Sequence, residues 1–464
     1  MFSARTLAWV PIVIGVLLYR SGDLLLNGVL NRSSFPRGYI ADGNYSSDCK
    51  TVRDYTVSPE ESLRFCEDET FWELYDAQAK LAERTVIVSC DPGRKAWNTV
   101  MGPLRDPTPH GGLWLYAFAG DATRRDGKAT RILNPNISVN QAHRITLKNY
   151  PQNHDFHPLG LEIWPSYSGN SSNLYVINHA RKETVVEHFL LNPAHPTEAK
   201  HIRTIRSLHF LSANGLALTS PDSFYVSNDH LMTRRLPIVG HVLPLVESIL
   251  GLPLGFVSHI TLNKHTSTET DPISKKEFAK LFIPFANGIS ISSSGTDFAL
   301  ASTSMGEILL YERDLATNKL KHKKETIRLP FFPDNVNFSP SNSSNGLEEI
   351  IVGGHPNFPD LIQVAKSKSA GSPSWVIAIV PKESGNGERS LVFDQDAPVS
   401  TNSKIQMDGV RWTMKTLFQS DGVEEKRGFA CSTAGLRDPD SGVIYVTGIY
   451  AQGGMMVCKP GLAN

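Results

Sequence analysis

Residues 285–292 read FANGISIS, and the chain runs on through SSGTD into FALAST (298–303). Apolar and small residues alternate, a Ser/Gly turn follows, and a second apolar run returns. That is the pattern of two strands joined by a hairpin turn. Asn287 stands at the mouth of the first run, where an amide gains nothing from burial unless something binds it. Asn and Asp recur at other strand mouths, in SANGLAL (212–218), SNDH (227–230) and FPDNVNF (332–338).

The same grammar extends outward. Short β-rich runs separated by turn residues recur from RTVIVSCD (84–91) to VIYVTGIY (443–450), among them SNLYVINHA, ETVVEHFLL, GEILLYER, EEIIVGG and SWVIAIVP. Helical periodicity is confined to the N-terminus, residues 68–84 (DETFWELYDAQAKLAER) and residues 236–255 (LPIVGHVLPLVESILGLPLG). So many short strands exceed what one core serves, and a β-propeller adds a slice of core with each blade. A pair of β-sandwiches and a β-helix are the rival architectures. No strict 40-residue repeat is visible, so the blades are expected to be irregular.

The chain has 464 residues, with 46 Lys plus Arg against 46 Asp plus Glu. That balance gives no basic face and therefore no expectation of a nucleic-acid partner. LAWVPIVIGVLLY (7–19) carries no charge and lies between Arg5 and Arg20. It reads as a signal-peptide core or retained anchor within residues 1–30. The polar segment 31–48 reads as a linker, and 49–464 as the folded unit. Sequons at Asn31, Asn44, Asn136, Asn170, Asn337 and Asn342 agree with a secretory route, ending in a secreted protein or one anchored in a membrane. None of the five cysteines (Cys49, Cys66, Cys90, Cys431, Cys458) forms a CxxC pair. Cys49 and Cys458 bracket the folded region and, if bridged, would tie its ends together.

Several chemistries lack their motif: there is no G-x-S-x-G, no H-E-x-x-H, no Walker A loop and no G-x-G-x-x-G after a strand. What remains is oxygen. Asn214, Asn228, Asp229, Asn287, Asp334 and Asn335 flank apolar runs, and oxygens converging from several blade ends would suit a hard cation such as calcium. The ordinary alternative for each is a turn or cap. Histidines also recur there: His154 and His157 in NHDFHPLG, His179 in VINHA, His230 in SNDH and His355 in VGGHPN.

FANGISIS, VINHARKETVVEHF, FYVSNDH, the Asp-Asn of FPDNVNF, VGGHPN and the C-terminal VC together resemble the serum paraoxonase/arylesterase family. The resemblance runs from about Cys49 to Cys458. It implies an all-β, six-bladed β-propeller with a few peripheral helices, acting as a calcium-dependent hydrolase of lactones and aryl esters, with organophosphate triesters as a further substrate class. It implies a Cys49–Cys458 disulfide and a catalytic calcium held by Glu67, Asn214, Asn287, Asp334 and Asn335. A second ion would use Asp68, a carbonyl near Leu161 and an aspartate whose place Gly215 takes here. Of the family's paired histidines, one matches His179. The other position is Leu159, with His157 two residues upstream. The expected base is His179, aided by His157 or Asp229, and His230 and His355 stand behind the ligands. The family also implies that 236–255 meets a lipid surface. The rival functions are a gluconolactonase-like or strictosidine-synthase-like enzyme and a non-catalytic binding propeller.

Overall fold

The computed structural model describes residues 4–20, 22, 25–30, 35–41, 49–54, 57–58, 62–106, 108–118, 132–264, 270–340, 348–382 and 411–459. The fold is all-β and propeller-like. Its strands form four-stranded antiparallel runs in chain order, and hydrogen bonds gather these into five sheets. The expectation of six separate blades differs from this for a local reason. His195–Ile205 pairs in parallel with Ala142–Lys148, joining the first two runs into one nine-stranded sheet.

The first strand of each run lies innermost: Cys66–Tyr75, Pro158–Ile163, Ala213–Ser220, Ala286–Ile291, Phe332–Pro340 and Ser432–Arg437. These strands touch in cyclic order, and the last touches the first. The final run is completed from the other end of the chain. Cys49–Thr51 pairs with Met455–Cys458, and Cys49 and Cys458 are disulfide-bonded.

Apolar clusters fill the seams between neighbouring runs. In Asp297–Ser302, Phe298 and Leu300 enter the seam with the third run, while Ala299 and Ala301 enter the seam with the fifth. A strand buried on both faces reads as a continuous apolar run, which is why FALAST shows no polar face.

Two helical expectations are corrected. Residues 68–84 form a β-hairpin, Cys66–Tyr75 with Leu81–Cys90. Trp72 and Leu74 face one seam and Phe71 the other, a two-residue period that outweighs the helix-forming Glu, Ala and Lys between them. Asp76 makes the turn, its Oδ1 accepting from the N–H groups of Gln78 and Lys80, each at 2.9 Å. In 236–255 only Leu243–Ile249 is α-helical, after a short turn at Val239–His241.

At the N-terminus Ala4–Arg20 is helical, and no helix among the described residues is long and apolar enough to cross a membrane. Asn136 and Asn170 are exposed on turns, whereas Asn31, Asn44 and Asn342 lie outside the described residues. Cys66 and Cys90, whose pairing the spacing left open, form a second disulfide, and Cys431 remains a buried thiol.

Candidate active site

Each inner strand breaks register at the same height. Register shifts fall between Cys66 and Asp68, Pro158 and Leu161, Ala213 and Leu216, Ala286 and Ile289, Pro333 and Val336, and Ser432 and Ala434. In every case the inner strand carries one residue more than its partner, as in a β-bulge. The residues within these shifts are Glu67, Leu159–Gly160, Asn214–Gly215, Asn287–Gly288, Asp334–Asn335 and Thr433. The bulge frees side chains from strict alternation, and Glu67, Leu159, Asn214, Asn287 and Asp334 line one cavity, whereas Asn335 and Thr433 do not.

Glycines let the inner strands approach. A Cβ on Gly160 would stand 2.1 Å from the Asn214 carbonyl oxygen, and one on Gly288 would stand 2.5 Å from Asn335 Cα. One on Gly215 would stand 3.1 Å from Gly288 Cα. The missing aspartate at 215 is thus a close contact between strands.

Glu67, Asn214, Asn287 and Asp334 line a cavity of about 120 Å³. Their amides point one way. Asn214 Nδ2 donates to Asp229 Oδ2 (3.3 Å), and Asn287 Nδ2 donates to Thr303 Oγ1 (2.9 Å). Asn335 Nδ2 donates to Glu67 Oε1 and to the Glu67 carbonyl, each at 3.1 Å. With the nitrogens anchored, Asn214 Oδ1, Asn287 Oδ1 and Glu67 Oε2 are buried without a hydrogen-bond partner among the described residues. Unpaired buried acceptors are costly, and three around one cavity fit a cation better than a neutral ligand. Burial pushes the Glu67 carboxyl well above its usual range, and the charges of Asp68 and Asp334 add to this. A cation would offset both effects. The set is mostly amide: among the described residues no three His, Cys, Asp or Glu side chains gather as a metal cluster.

His355 lines the cavity with Nε2 2.9 Å from Asp334 Oδ2. His230 sits behind the wall, Nε2 2.7 Å from Ser248 Oγ and Nδ1 3.2 Å from Asp229 Oδ1, the latter too poorly aligned for a hydrogen bond. Asp68 and Leu161 are not brought to the cavity. Asp68 Oδ1 accepts from the Glu69 N–H (2.9 Å) and Oδ2 from the Leu161 N–H (3.1 Å). Burial raises this carboxyl to about 7.

His157, Leu159 and His179 all line the cavity. His179 uses both ring nitrogens, Nδ1 with Thr99 Oγ1 and Nε2 with the Ala213 carbonyl at 2.8 Å, and burial lowers it to about 4. His157 Nδ1 lies 3.0 Å from Asp91 Oδ2, and its Nε2 is buried and unpartnered among the described residues.

One wall comes from residues 91–101, DPGRKAWNTVM, which carry no motif that marks them as functional in the sequence. It brings Asp91, Arg94 and Trp97 into the cavity. Arg94 Nη2 donates to the Pro158 carbonyl (2.7 Å), and Trp97 Nε1 to the His179 carbonyl (2.8 Å). The available signal was an Asp ending an apolar run, as in SNDH.

Serum paraoxonase/lactonase 3 of Oryctolagus cuniculus is 24% identical over 278 residues, covering 59% of this chain and 70% of the relative. Serum paraoxonase/arylesterase 2 of Gallus gallus is 28% identical over 202 residues, covering 44% and 50%. Serum paraoxonase/arylesterase 1 of Homo sapiens is 26% identical over 202 residues, with the same coverage. Two of these three matches span only half of the relative's length. The sequence model described as Arylesterase matches residues 110–419, more than half of the chain, and the chain therefore belongs to the arylesterase family.

Proposed function

We propose that this protein is a calcium-dependent ester hydrolase acting on lactones and aryl esters, with its four-stranded runs closing as a six-bladed propeller. The observation that carries the reading is the set of orphaned oxygens on Glu67, Asn214 and Asn287, presented by separate inner strands to one cavity. Asp334 and Asn335 would complete the ligand set. Two carboxylates and three amides leave positions for water and substrate in a shell of roughly six to eight. Held by these residues, calcium would supply Lewis-acid stabilisation of the negative charge that develops on a substrate carbonyl oxygen. The protein supplies the rest. Arg94 and Trp97 shape the wall, His355 holds Asp334, and a histidine takes the proton of the attacking water. Calcium acidifies bound water less than zinc does, so a base is needed.

One calcium is proposed. Gly215 offers no carboxylate to a second, and Asp68 is already bound by main-chain N–H groups. The buried disulfides fit an oxidising compartment, and entry to the secretory route with the N-terminal segment as leader or anchor belongs to the same proposal. So does contact with lipid through 236–255, where Ile238, Val242 and Ile249 are exposed.

The test is a panel of lactones and aryl acetates assayed with calcium, with chelator, and after calcium is restored. Hydrolysis that chelator abolishes and calcium restores is the expected result. No turnover in calcium would favour the non-catalytic binding propeller.

A further inference from the structure

We propose that His157 is the general base of this cavity and that Asp91 is the residue that positions it. The proposal rests on the hydrolase reading above and replaces His179 as the expected base.

The two histidines differ in what their nitrogens are free to do. The Ala213 carbonyl can only accept, so His179 Nε2 carries the hydrogen, and Nδ1 then accepts from the Thr99 hydroxyl. Neither nitrogen has a lone pair left for water. At His157 the Asp91 carboxyl oxygen accepts from Nδ1–H, which leaves the Nε2 lone pair open. Nε2 is buried and unpartnered in a residue that lines the cavity. A carboxylate that fixes the tautomer and orientation of a basic imidazole is the arrangement general-base catalysis requires.

The pair is rigidly held. The His157 main-chain N–H donates to Asn178 Oδ1 (2.8 Å), and its ring lies 5.8 Å from that of Trp97. Asp91 Oδ1 accepts from the Gly93 N–H (2.9 Å), and the preceding residue, Cys90, is bridged to Cys66. His179 contributes through the main chain, its N–H donating to the His157 carbonyl (3.0 Å).

In the reaction His157 Nε2 removes a proton from water as the water oxygen bonds to the carbonyl carbon. The ester C–O bond then breaks, and the same proton passes to the departing oxygen. The products are an acid and an alcohol, or one hydroxy acid from a lactone, and no other reactant is consumed.

The test joins nitrogen-15 NMR of the histidine rings with kinetics on the calcium-loaded full chain. His157 is expected as the Nδ1–H tautomer in the wild type, and Asp91→Asn should lose that preference. His157→Gln should lower kcat by roughly 10²-fold or more, the usual worth of a general base. KM and calcium affinity should stay within a few-fold, and Asp91→Glu should recover part of what Asp91→Asn loses. An Nε2–H tautomer at His157, or a near-wild-type kcat in His157→Gln, overturns the proposal. Failure of the hydrolase reading has a different signature: the calcium-loaded wild type itself turns over neither lactones nor aryl esters. The base role then falls too, whichever tautomer is seen.

Discussion

Cys66 and Cys90 face each other across the first two strands of the first run, and their disulfide fixes the residues that follow them, Glu67 and Asp91. One is a proposed cation ligand and the other the partner of His157. The bridge therefore stands at the root of two separate parts of the site. Replacing both cysteines by Ala should cost about 3 kcal/mol of stability, typical for a loop of this length. It should also weaken calcium binding and lower kcat. Urea unfolding and calcium titration of the double variant separate the effects. Wild-type calcium affinity in a destabilised protein would show that the bridge serves the fold alone.

Asn287 tests the ligand set. Its Nδ2 is anchored on Thr303, whose hydroxyl donates in turn to the Pro333 carbonyl at 2.7 Å, so its oxygen is aimed by two linked hydrogen bonds. Asn287→Ala should lower calcium affinity and hydrolysis together, with partial rescue by excess calcium. Thr303→Val should do the same more weakly, because it frees the amide without removing it. Unchanged calcium titrations in both variants would falsify the assignment.

The strands were legible because burial on both faces writes them as apolar runs, as in FALAST. Part of the cavity lining, Asn214, Asn287 and Asp334, was legible because Asn and Asp at repeated strand mouths have no apolar reason to be there. Asp91 was not, because Asp-Pro-Gly reads equally well as a turn, which it also makes: its Oδ1 caps Gly93 while its Oδ2 meets His157. The hairpin at 66–90 was misread because Glu69, Glu73, Ala77 and Ala79 favour helix locally, and only packing of Trp72 and Phe71 into opposite seams reveals the two-residue period. The Cys66–Cys90 pair depended on that hairpin and could not be seen without it.

His179 gives a pH prediction. Burial holds its folded pKa at about 4 against an ordinary 6.5, so the native state binds its proton later than the unfolded chain. Its contribution is complete above pH 6.5 and is lost as pH falls from 6.5 toward 4. The loss is on the order of 3 kcal/mol at the acid end. Unfolding midpoints measured from pH 7 to pH 4 should fall less steeply in His179→Gln than in the wild type. Parallel slopes would place the acid sensitivity of this range elsewhere. Below it, Glu187 is the next group to lose its contribution. Burial alone would raise that carboxyl, but hydrogen bonds from His154, His201, Asn178 and Thr204 outweigh it and hold the group at about 2. Its contribution is therefore lost only as pH falls from 4.5 toward 2.

The glycines between inner strands supply a ranked series. An added Cβ at Gly160 or Gly288 meets main-chain atoms at 2.1 and 2.5 Å, whereas at Gly215 the nearest atom is at 3.1 Å. Backbone cannot rotate away as a side chain can, so Gly160→Ala and Gly288→Ala must push neighbouring strands apart. Each should cost about 1–3 kcal/mol, the range for overpacking, and Gly215→Ala should cost less. Position then separates the first two. Gly288 abuts Asn335, whose amide binds Glu67, so Gly288→Ala should lower calcium affinity by more than its stability loss accounts for. Chemical unfolding gives the first ranking and calcium titration the second. A Gly215→Ala variant as damaged as Gly288→Ala would mean that the inner strands are spaced by something other than these contacts.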